Sequence, residues 1–428
     1  MKATCRALAL VLFLAPAVAF ATKIPIPIEG ATLNVSFQLQ TQVLFNQNGT
    51  PDGQNPSIDI FVRRSRLLVN GDINQNFTYL IQIDNPNFGK YGNYAGRAIV
   101  QDAWIGWAPT GITGNNVVYI DAGILLVPIS HHLLESTTNF ITADVHTDSF
   151  RFPGNAFPNL RETGVQVRGW ALDKHIGWRG GIYEGGYAPI SNARVTPKRY
   201  PQFAYFINFD IIGSEEGGWL YGAYKWGKDP ILSIGHSSIY QSQAVLNYAP
   251  VNSLTDSLVQ SGDVYLNWPM GDSEIVVEVT GYRSINSGSS SGSANTGKGF
   301  DADVGYRWGP FAPYVSYSYF QADDCDGALV GTDATNCALA IETANSRNIK
   351  AGLNFFFNKN LNHINVEFQS NHGLSAYGPA NITAAATSAG YVPLALDPVT
   401  PGGPRRAFNQ NLRNPAFWSV LLHWNVLF

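Results

Sequence analysis

The feature that most constrains this chain is a long, regular alternation of apolar and polar residues. Between Leu33 and Phe45 one parity is mainly apolar, and the other is mainly Asn, Ser and Gln. A period of two places successive side chains on opposite faces of a strand. Strands of soluble sheets usually have about five or six residues, whereas a tilted membrane-crossing strand needs about ten. The alternation therefore favours a strand that crosses a membrane.

The same pattern recurs along the chain and predicts sixteen strands. They are 31–45, 58–69, 77–84, 97–108, 117–128, 163–171, 176–183, 203–212, 230–241, 261–268, 275–283, 300–308, 311–321, 348–357, 362–370 and 414–428. Long segments follow the odd-numbered strands. Mostly short links follow the even-numbered strands, and the long link 213–229 is the exception. Short turns that alternate with long loops are typical of a transmembrane antiparallel β-barrel.

The composition and the first residues agree with this fold class. Charged residues make up 14% of the chain, against about 25% in soluble domains. After residue 21 no segment approaches the roughly 18 apolar residues of a spanning helix. The chain begins with the positively charged Lys2 and Arg6, followed by an apolar run at 7–15 and small residues near 19–21. A secretory signal peptide has these three parts in this order. We expect residues 1–21 to be a cleaved signal peptide and 22–428 to form one barrel domain.

The last predicted strand supports a bacterial outer-membrane location. One face carries Trp418, Trp424 and the terminal Phe428, and such a patch would favour aggregation of a soluble protein. A terminal aromatic on an amphipathic strand resembles the signal that the bacterial barrel-assembly machinery recognises. We therefore expect that machinery and outer-membrane lipid as partners. Other aromatic residues near strand ends predict interfacial girdles, namely Trp104, Trp107, Trp170, Trp178, Trp268, Trp308, Tyr317, Tyr319, Phe355 and Phe357.

Four segments resemble the family of phosphate-selective porins O and P. They are FVRRSRL at 61–67, QDAW at 101–104, DAGILLVPIS at 121–130 and RETGVQVRG at 161–169. The resemblance implies a homotrimer of sixteen-stranded barrels whose third loop, 129–162, folds inward and narrows each pore. Leu125 and Leu126 depart from the family, which commonly places a polar or basic pair there, and this departure weighs against phosphate selection.

The parity of the strands predicts which charged side chains line the lumen. The acidic ones are Asp84, Asp102, Asp210, Asp263, Glu278, Asp301, Asp303 and Glu367. The basic ones are Arg63, Arg168, Arg179, Arg307 and Lys350. This balance predicts no strongly positive channel. Arg63 and Arg64 are adjacent, so they point to opposite faces unless a β-bulge intervenes.

The third loop is expected to form a constriction with charges of both signs, which would orient solutes. Its candidates, with those of the strand that follows, are Glu135, Asp144, Asp148, Arg151, Arg161 and Arg168. A solvated loop with ordinary charges is the alternative. The loop also carries three histidines, namely His131, His132 and His146. Their spacing is not that of a closed zinc site, so we expect neither a metal site nor a cofactor.

Together these patterns predict an outer-membrane porin, a passive channel for small hydrophilic solutes and ions. The resemblance offers an anion- or phosphate-preferring channel as the alternative. A barrel enzyme is a remote alternative, because the sequence has no GxSxG elbow and no P-loop or dinucleotide-binding glycine motif. The net charge of −4 gives no electrostatic reason to expect nucleic acid as a partner.

Cys325 and Cys337 are predicted to form a disulfide within one outer loop. Cys5 would leave with the signal peptide, so the mature chain keeps two cysteines in an oxidising compartment. Mass spectrometry of a non-reduced digest should find the two peptides joined, and two free thiols would contradict the prediction. Removal of the cross-link should leave the barrel intact, because it constrains a loop and not the strand ladder.

Overall fold

A computed structural model describes most of the chain. The described residues are 22–24, 27, 29–47, 55–94, 96, 98–112, 117–146, 149–150, 160–185, 200–215, 219–247, 253–286, 296–323, 345–373 and 416–428. The predicted signal peptide, the two constriction candidates Asp148 and Arg151, and the cysteines Cys325 and Cys337 lie outside them. Within the described ranges, no helix has the length and apolar character needed to cross a membrane.

The described residues form an antiparallel sheet that closes on itself. Its strands are β1 (Thr22–Ile24), β2 (Leu33–Asn46), β3 (Ser57–Asn74), β4 (Phe77–Asp84), β5 (Ile99–Trp107), β6 (Val117–Leu126), β7 (Arg161–Ala171), β8 (Ile176–Tyr183), β9 (Gln202–Ile212), β10 (Ile231–Asn247), β11 (Ser253–Met270), β12 (Ser273–Asn286), β13 (Gly297–Trp308), β14 (Phe311–Ala322), β15 (Ser346–Asn358), β16 (Asn362–Gly373) and β17 (Ala416–Leu427). From β2 onward each strand pairs with the next, and β17 pairs with β2. The result is a sixteen-stranded barrel, to which the short β1 is added along β2.

All sixteen predicted strands are present, and the prediction of an antiparallel barrel is confirmed. The bounds predicted for β4 and β8 are those observed. The strand predicted at 261–268 extends over Ser253–Met270. Its first residues, SLTDSLVQ, lack regular alternation, yet the backbone pairing with β10 continues through them. Hydrogen bonding thus extends the strand beyond the part that hydrophobic periodicity can detect.

The two faces of the wall differ in polarity. In β9 the side chains of Phe203, Tyr205 and Ile207 are exposed, while those of Asn208 and Asp210 are buried. The same alternation runs through β13 and β14. A monomeric soluble protein rarely exposes an apolar surface of this extent. An outer apolar face with a polar inner face is the pattern of a transmembrane barrel.

Several of the aromatic residues predicted for a girdle are exposed near the turn ends of their strands. They include Trp107, Trp268, Trp308 and Phe357. Trp104 is a correction, because it is buried and its ring centroid lies 4.6 Å from that of Trp219. It shares the parity of Asp102, which is also buried, so the indole belongs to the inner face.

The seam between β17 and β2 is joined by backbone and side chains. The Phe428 amide donates to the Phe37 carbonyl at 2.8 Å, and the Phe37 amide donates to the Phe428 carbonyl at 3.2 Å. On the buried face, Gln38 and Gln40 each donate to Asn425 Oδ1, at 3.1 and 2.9 Å. The terminal phenylalanine therefore completes the ring of strands.

A closed barrel predicts heat-modifiable electrophoretic mobility. Because the strand ladder has no open edge, detergent finds few unpaired backbone groups to solvate until heat opens the sheet. Unheated and boiled samples should migrate differently on a detergent gel, and circular dichroism of the unheated sample should show strand. Equal mobility together with a mainly helical spectrum would contradict this fold.

Candidate constriction site

The segment after β6, here called the third-loop segment (residues 127–146 and 149–150), is buried although it is largely irregular. Ile129, Leu134 and Ile141 have no exposed surface. A short 3-10 turn spans His132–Leu134. Irregular backbone carries many polar groups that need partners when they are buried. The hydrogen-bond partners of this segment therefore identify the strands that it contacts.

Those partners come from the buried faces of several strands. Thr137 accepts a hydrogen bond from Arg66 of β3 at 2.8 Å, and the Ala143 amide donates to Glu367 of β16 at 3.1 Å. Ser149 donates to Asp301 of β13 at 2.7 Å. The third-loop segment is thus held by strands that are separated along the ring of the barrel.

Gly299 of β13 permits one of these contacts. A Cβ atom at this position would lie 1.4 Å from the carbonyl oxygen of Ser149. Because that oxygen belongs to the backbone, no side-chain rotation could relieve the overlap. Glycine is therefore required where the third-loop segment passes this strand.

Asp144 anchors the third-loop segment to β3. Its carboxylate accepts from Arg63 Nε at 2.5 Å and from Arg64 Nη2 at 2.6 Å. A β-bulge in β3 leaves Arg63 without a paired residue on β2, because Gln40 pairs with Arg64 and Thr41 pairs with Val62. The bulge lets two adjacent arginines reach the same carboxylate. Burial by itself would raise the pKa of Asp144, but the charges of the two arginines hold that pKa well below its usual range.

A second cluster joins His131 and Glu135 of the loop to Glu278 of β12. His131 Nδ1 lies 3.6 Å from Glu135 Oε1 and 3.7 Å from Glu278 Oε1. All three side chains are nearly completely buried. Burial raises the pKa of Glu135 well above its usual range, and the neighbouring charge of Glu278 adds to the effect.

Glu215 and Lys225 flank this cluster. His131 Nε2 donates to Glu215 at 2.8 Å, and the Lys225 ammonium donates to the same carboxylate. Burial alone would raise the pKa of Glu215, but the charges of His131 and Lys225 lower it to about 2. The histidine ring stacks on Tyr265 and Tyr221, with centroids 4.3 and 4.8 Å away.

His132 and His146 form another cluster with Asp303 of β13, and it adjoins the first because His132 Nδ1 lies 3.4 Å from Glu278 Oε2. The His146 amide donates to His132 Nε2 at 3.1 Å, and His146 Nε2 lies 3.0 Å from an Asp303 oxygen. Burial alone would lower the pKa of His132. A hydrogen bond with Glu278 and the charges of Asp301 and Asp303 instead raise it to about 9. The three loop histidines are therefore divided between two clusters that meet at Glu278.

The long link between β9 and β10 contacts the third-loop segment directly. The Tyr221 amide donates to the Leu134 carbonyl, and the Ser136 amide donates to the Tyr221 carbonyl, both at 2.9 Å. The Ala223 amide donates to the Asn139 carbonyl at 3.0 Å. In the sequence this link is marked only as a long connection where a short turn is expected. Glu215 and Lys225 were not among the predicted site residues.

The basic residues predicted for the lumen and the constriction are mostly paired. Arg161 Nε lies 3.2 Å from Asp102, and Arg168 Nε lies 2.6 Å from Asp121. Arg307 pairs with Glu274. Arg179 donates to the Trp219 carbonyl at 3.1 Å, and Lys350 Nζ lies 3.3 Å from His146 Nδ1. The acidic partners Asp121 and Glu274 were not among the predicted residues, although each lies on the buried face of its strand.

No protein-family model matches the sequence, and no curated protein matches it. Among solved structures, the chain is similar to the outer membrane channel DcaP of Acinetobacter baumannii, with a TM-score of 0.53 and 13% identity over 96% of this chain and 99% of that one. It is also similar to OprB of Pseudomonas putida, with a TM-score of 0.52 and 7% identity over 92% and 94% of the two chains. At these identities the likeness shows a shared barrel fold. The resemblance to phosphate-selective porins remains a prediction.

Asp144→Asn should loosen the third-loop segment. Asparagine keeps the shape of the side chain but leaves the buried Arg64 without its charged partner. Loss of a hydrogen bond to a charged group costs about 1.5–3 kcal/mol, or roughly ten- to hundredfold in the equilibrium for local opening. Hydrogen–deuterium exchange of residues 127–146 should accelerate accordingly, and unchanged exchange would contradict the anchoring role.

The control is Asp323→Asn, because Asp323 also pairs with an arginine, Arg283 at 2.6 Å, but in an exposed position. It should leave exchange in the third-loop segment unchanged.

The pH dependence of the Asp144 anchor has a defined sign. Since the pKa of Asp144 is lowered in the folded state, its anchoring is complete above about pH 4, the unfolded pKa. The anchoring is lost only as the pH falls through the lowered value.

Proposed function

We propose that this chain is a bacterial outer-membrane porin through which small hydrophilic solutes and ions diffuse passively. The observation that carries the proposal is the separation of side chains across a closed wall, with apolar residues exposed outside and polar residues buried inside. A barrel with this polarity is built to surround a hydrophilic path through lipid. The fold shared with DcaP, which is described as an outer membrane channel, supports the same function.

We also propose that the third-loop segment lies in the lumen and forms the constriction. Its support is the set of hydrogen bonds to the buried faces of β3, β13 and β16. The link between β9 and β10 joins adjacent strands at the turn side of the barrel, and its residues Tyr221 and Ala223 pair with the segment through backbone hydrogen bonds. The narrow part of the path would thus be built by two segments that enter from opposite ends.

The pairing of the arginines favours weak ion selectivity over a specific phosphate site. Arg63, Arg161 and Arg168 each lie against a carboxylate. A paired charge contributes little field along the channel, because its partner cancels most of it at a distance. An anion-specific channel would need basic groups that face the path without such partners. The general porin is therefore the better supported of the two channel functions.

The remaining parts of the proposal concern assembly. Residues 1–21 would be removed on export, which leaves Thr22, the first residue of β1, at the new N-terminus. Phe428 would be read by the barrel-assembly machinery, and its place at the closing seam suits a signal that is recognised before the seam forms. Outer-membrane lipid would cover the apolar face. The proposed homotrimer rests on the resemblance to the porin family.

Planar-bilayer recording of the purified protein in a salt gradient tests the proposed function. The expected result is stepwise conductance with a small reversal potential, because the charges of the constriction are largely paired. Phosphate added to a chloride-conducting channel should leave most of the current. Absence of conductance from folded protein would overturn the porin proposal.

Strong block at low phosphate concentration would instead establish the anion-specific alternative. In that event Arg161→Ala or Arg168→Ala should relieve the block, because both arginines are candidates for the constriction. Lys298→Ala should not relieve it, since the Lys298 side chain is exposed at the start of β13 and does not lie on the buried face. The same recordings therefore separate the two channel functions.

A further inference from the structure

Four buried oxygen and nitrogen atoms in one cluster lack hydrogen-bond partners among the described residues when both carboxyl groups are ionised. They are His131 Nδ1, Glu135 Oε1, Glu135 Oε2 and Glu278 Oε1. Their side chains are only 2%, 4% and 2% exposed. More than about 90% of buried polar groups in proteins have a partner. Four exceptions that belong to three adjoining side chains therefore indicate a binding site.

The distances within the cluster favour a metal ion. His131 Nδ1 lies 3.6 and 3.7 Å from the nearest oxygens of Glu135 and Glu278. These separations exceed the 2.7–3.2 Å of a hydrogen bond. Two ligands bound tetrahedrally at about 2.1 Å lie about 3.4 Å apart. The three ligand atoms, one from each residue, all fall within 4.8 Å of one another. We propose that His131, Glu135 and Glu278 bind one divalent transition-metal cation of the Zn²⁺ class.

The surroundings of His131 are those of a metal ligand. Its Nε2–H donates to Glu215, so Nδ1 is free to present a lone pair to a cation. A carboxylate that accepts from the other ring nitrogen is the usual support of a metal-bound histidine. Tyr265 and Tyr221 stack against the ring and fix its plane. Lys225 in turn holds Glu215 in place.

The donor set points to the class of ion. One imidazole nitrogen with two carboxylate oxygens suits Zn²⁺ and its neighbours, whereas Ca²⁺ and Mg²⁺ prefer sets made of oxygen alone. A divalent cation would also relieve the repulsion between two buried carboxylates. Three protein ligands leave a coordination position for water or for a solute anion. The bound ion would thus place a positive charge beside the proposed constriction.

The second histidine cluster does not share these features. His146 lies within hydrogen-bond distance of Asp303, and His132 Nε2 accepts the backbone amide of His146. His132 Nδ1 also lies 3.4 Å from Glu278 Oε2, so both ring nitrogens of His132 already have partners. The spacing of the three loop histidines concealed the proposed site, because only one of them belongs to it. The third ligand, Glu278, comes from a strand about 140 residues further along the chain.

Titration of the detergent-purified, chelator-treated barrel with Zn²⁺ by isothermal calorimetry tests the site. The wild-type protein should bind one equivalent, and Co²⁺ in its place should give a visible absorption band. Glu135→Gln keeps the size of the side chain and should weaken binding by about 10- to 100-fold or more. His131→Gln should do the same. His363→Gln, which changes another buried histidine, on β16, should bind like the wild type.

Heat-dependent gel mobility shows that each variant is folded. Two outcomes would overturn the site. One is the absence of Zn²⁺ binding to folded wild-type protein, which would indicate that the two carboxyl groups share a proton. The other is binding that both Glu135→Gln and His131→Gln leave unchanged. Because calorimetry does not depend on conductance, failure of the metal site and failure of the proposed porin function are distinguishable.

Discussion

The backbone hydrogen-bond ladder that closes β17 onto β2 is the constraint on which the rest of the structure depends. Hydrocarbon offers no partner to an unpaired amide or carbonyl, and each such group costs several kcal/mol there. The register from Ser419 with Asn46 to Leu427 with Gln38 removes both edges of the sheet. Once the sheet is closed, strand alternation assigns every side chain to the outside or the inside.

This assignment explains the chemistry of the interior. Most charged residues on the strands are buried, and an unpaired charge is costly there. Asp144 between Arg63 and Arg64, Asp121 beside Arg168, and Glu274 beside Arg307 meet that requirement. The third-loop segment and the link between β9 and β10 supply some of the partners. The same contacts that satisfy the wall charges therefore hold both segments in place.

Much of the wall could be predicted from the sequence, because the alternation that defines a strand is local. The strands at 77–84 and 176–183 appeared at their predicted bounds for this reason. The bulge that brings Arg63 and Arg64 together was recognised only as a possibility, since one unpaired residue leaves no periodic signal. The approach of His131 to Glu278 could not be predicted, because it depends on the path of an irregular segment that has no periodic pattern.

Two features of the interior were not predicted from the sequence, namely the role of one link and the position of Trp104. The link 213–229 differs in length from the other turns, but its length does not show where Glu215 and Lys225 lie. Trp104 was assigned to the girdle by its position near a strand end, although its parity with Asp102 indicated the inner face. The backbone fixes the parity of each strand residue. Parity therefore indicates the face on which Trp104 lies better than its position near a strand end does.

An experimental structure of the protein in lipid, solved at side-chain resolution by electron cryomicroscopy, tests the position of the third-loop segment most directly. We expect density for residues 127–146 inside the barrel, with Asp144 between Arg63 and Arg64 and with Tyr221 paired to the backbone of Leu134 and Ser136. An open lumen with this segment outside the barrel would contradict this expectation.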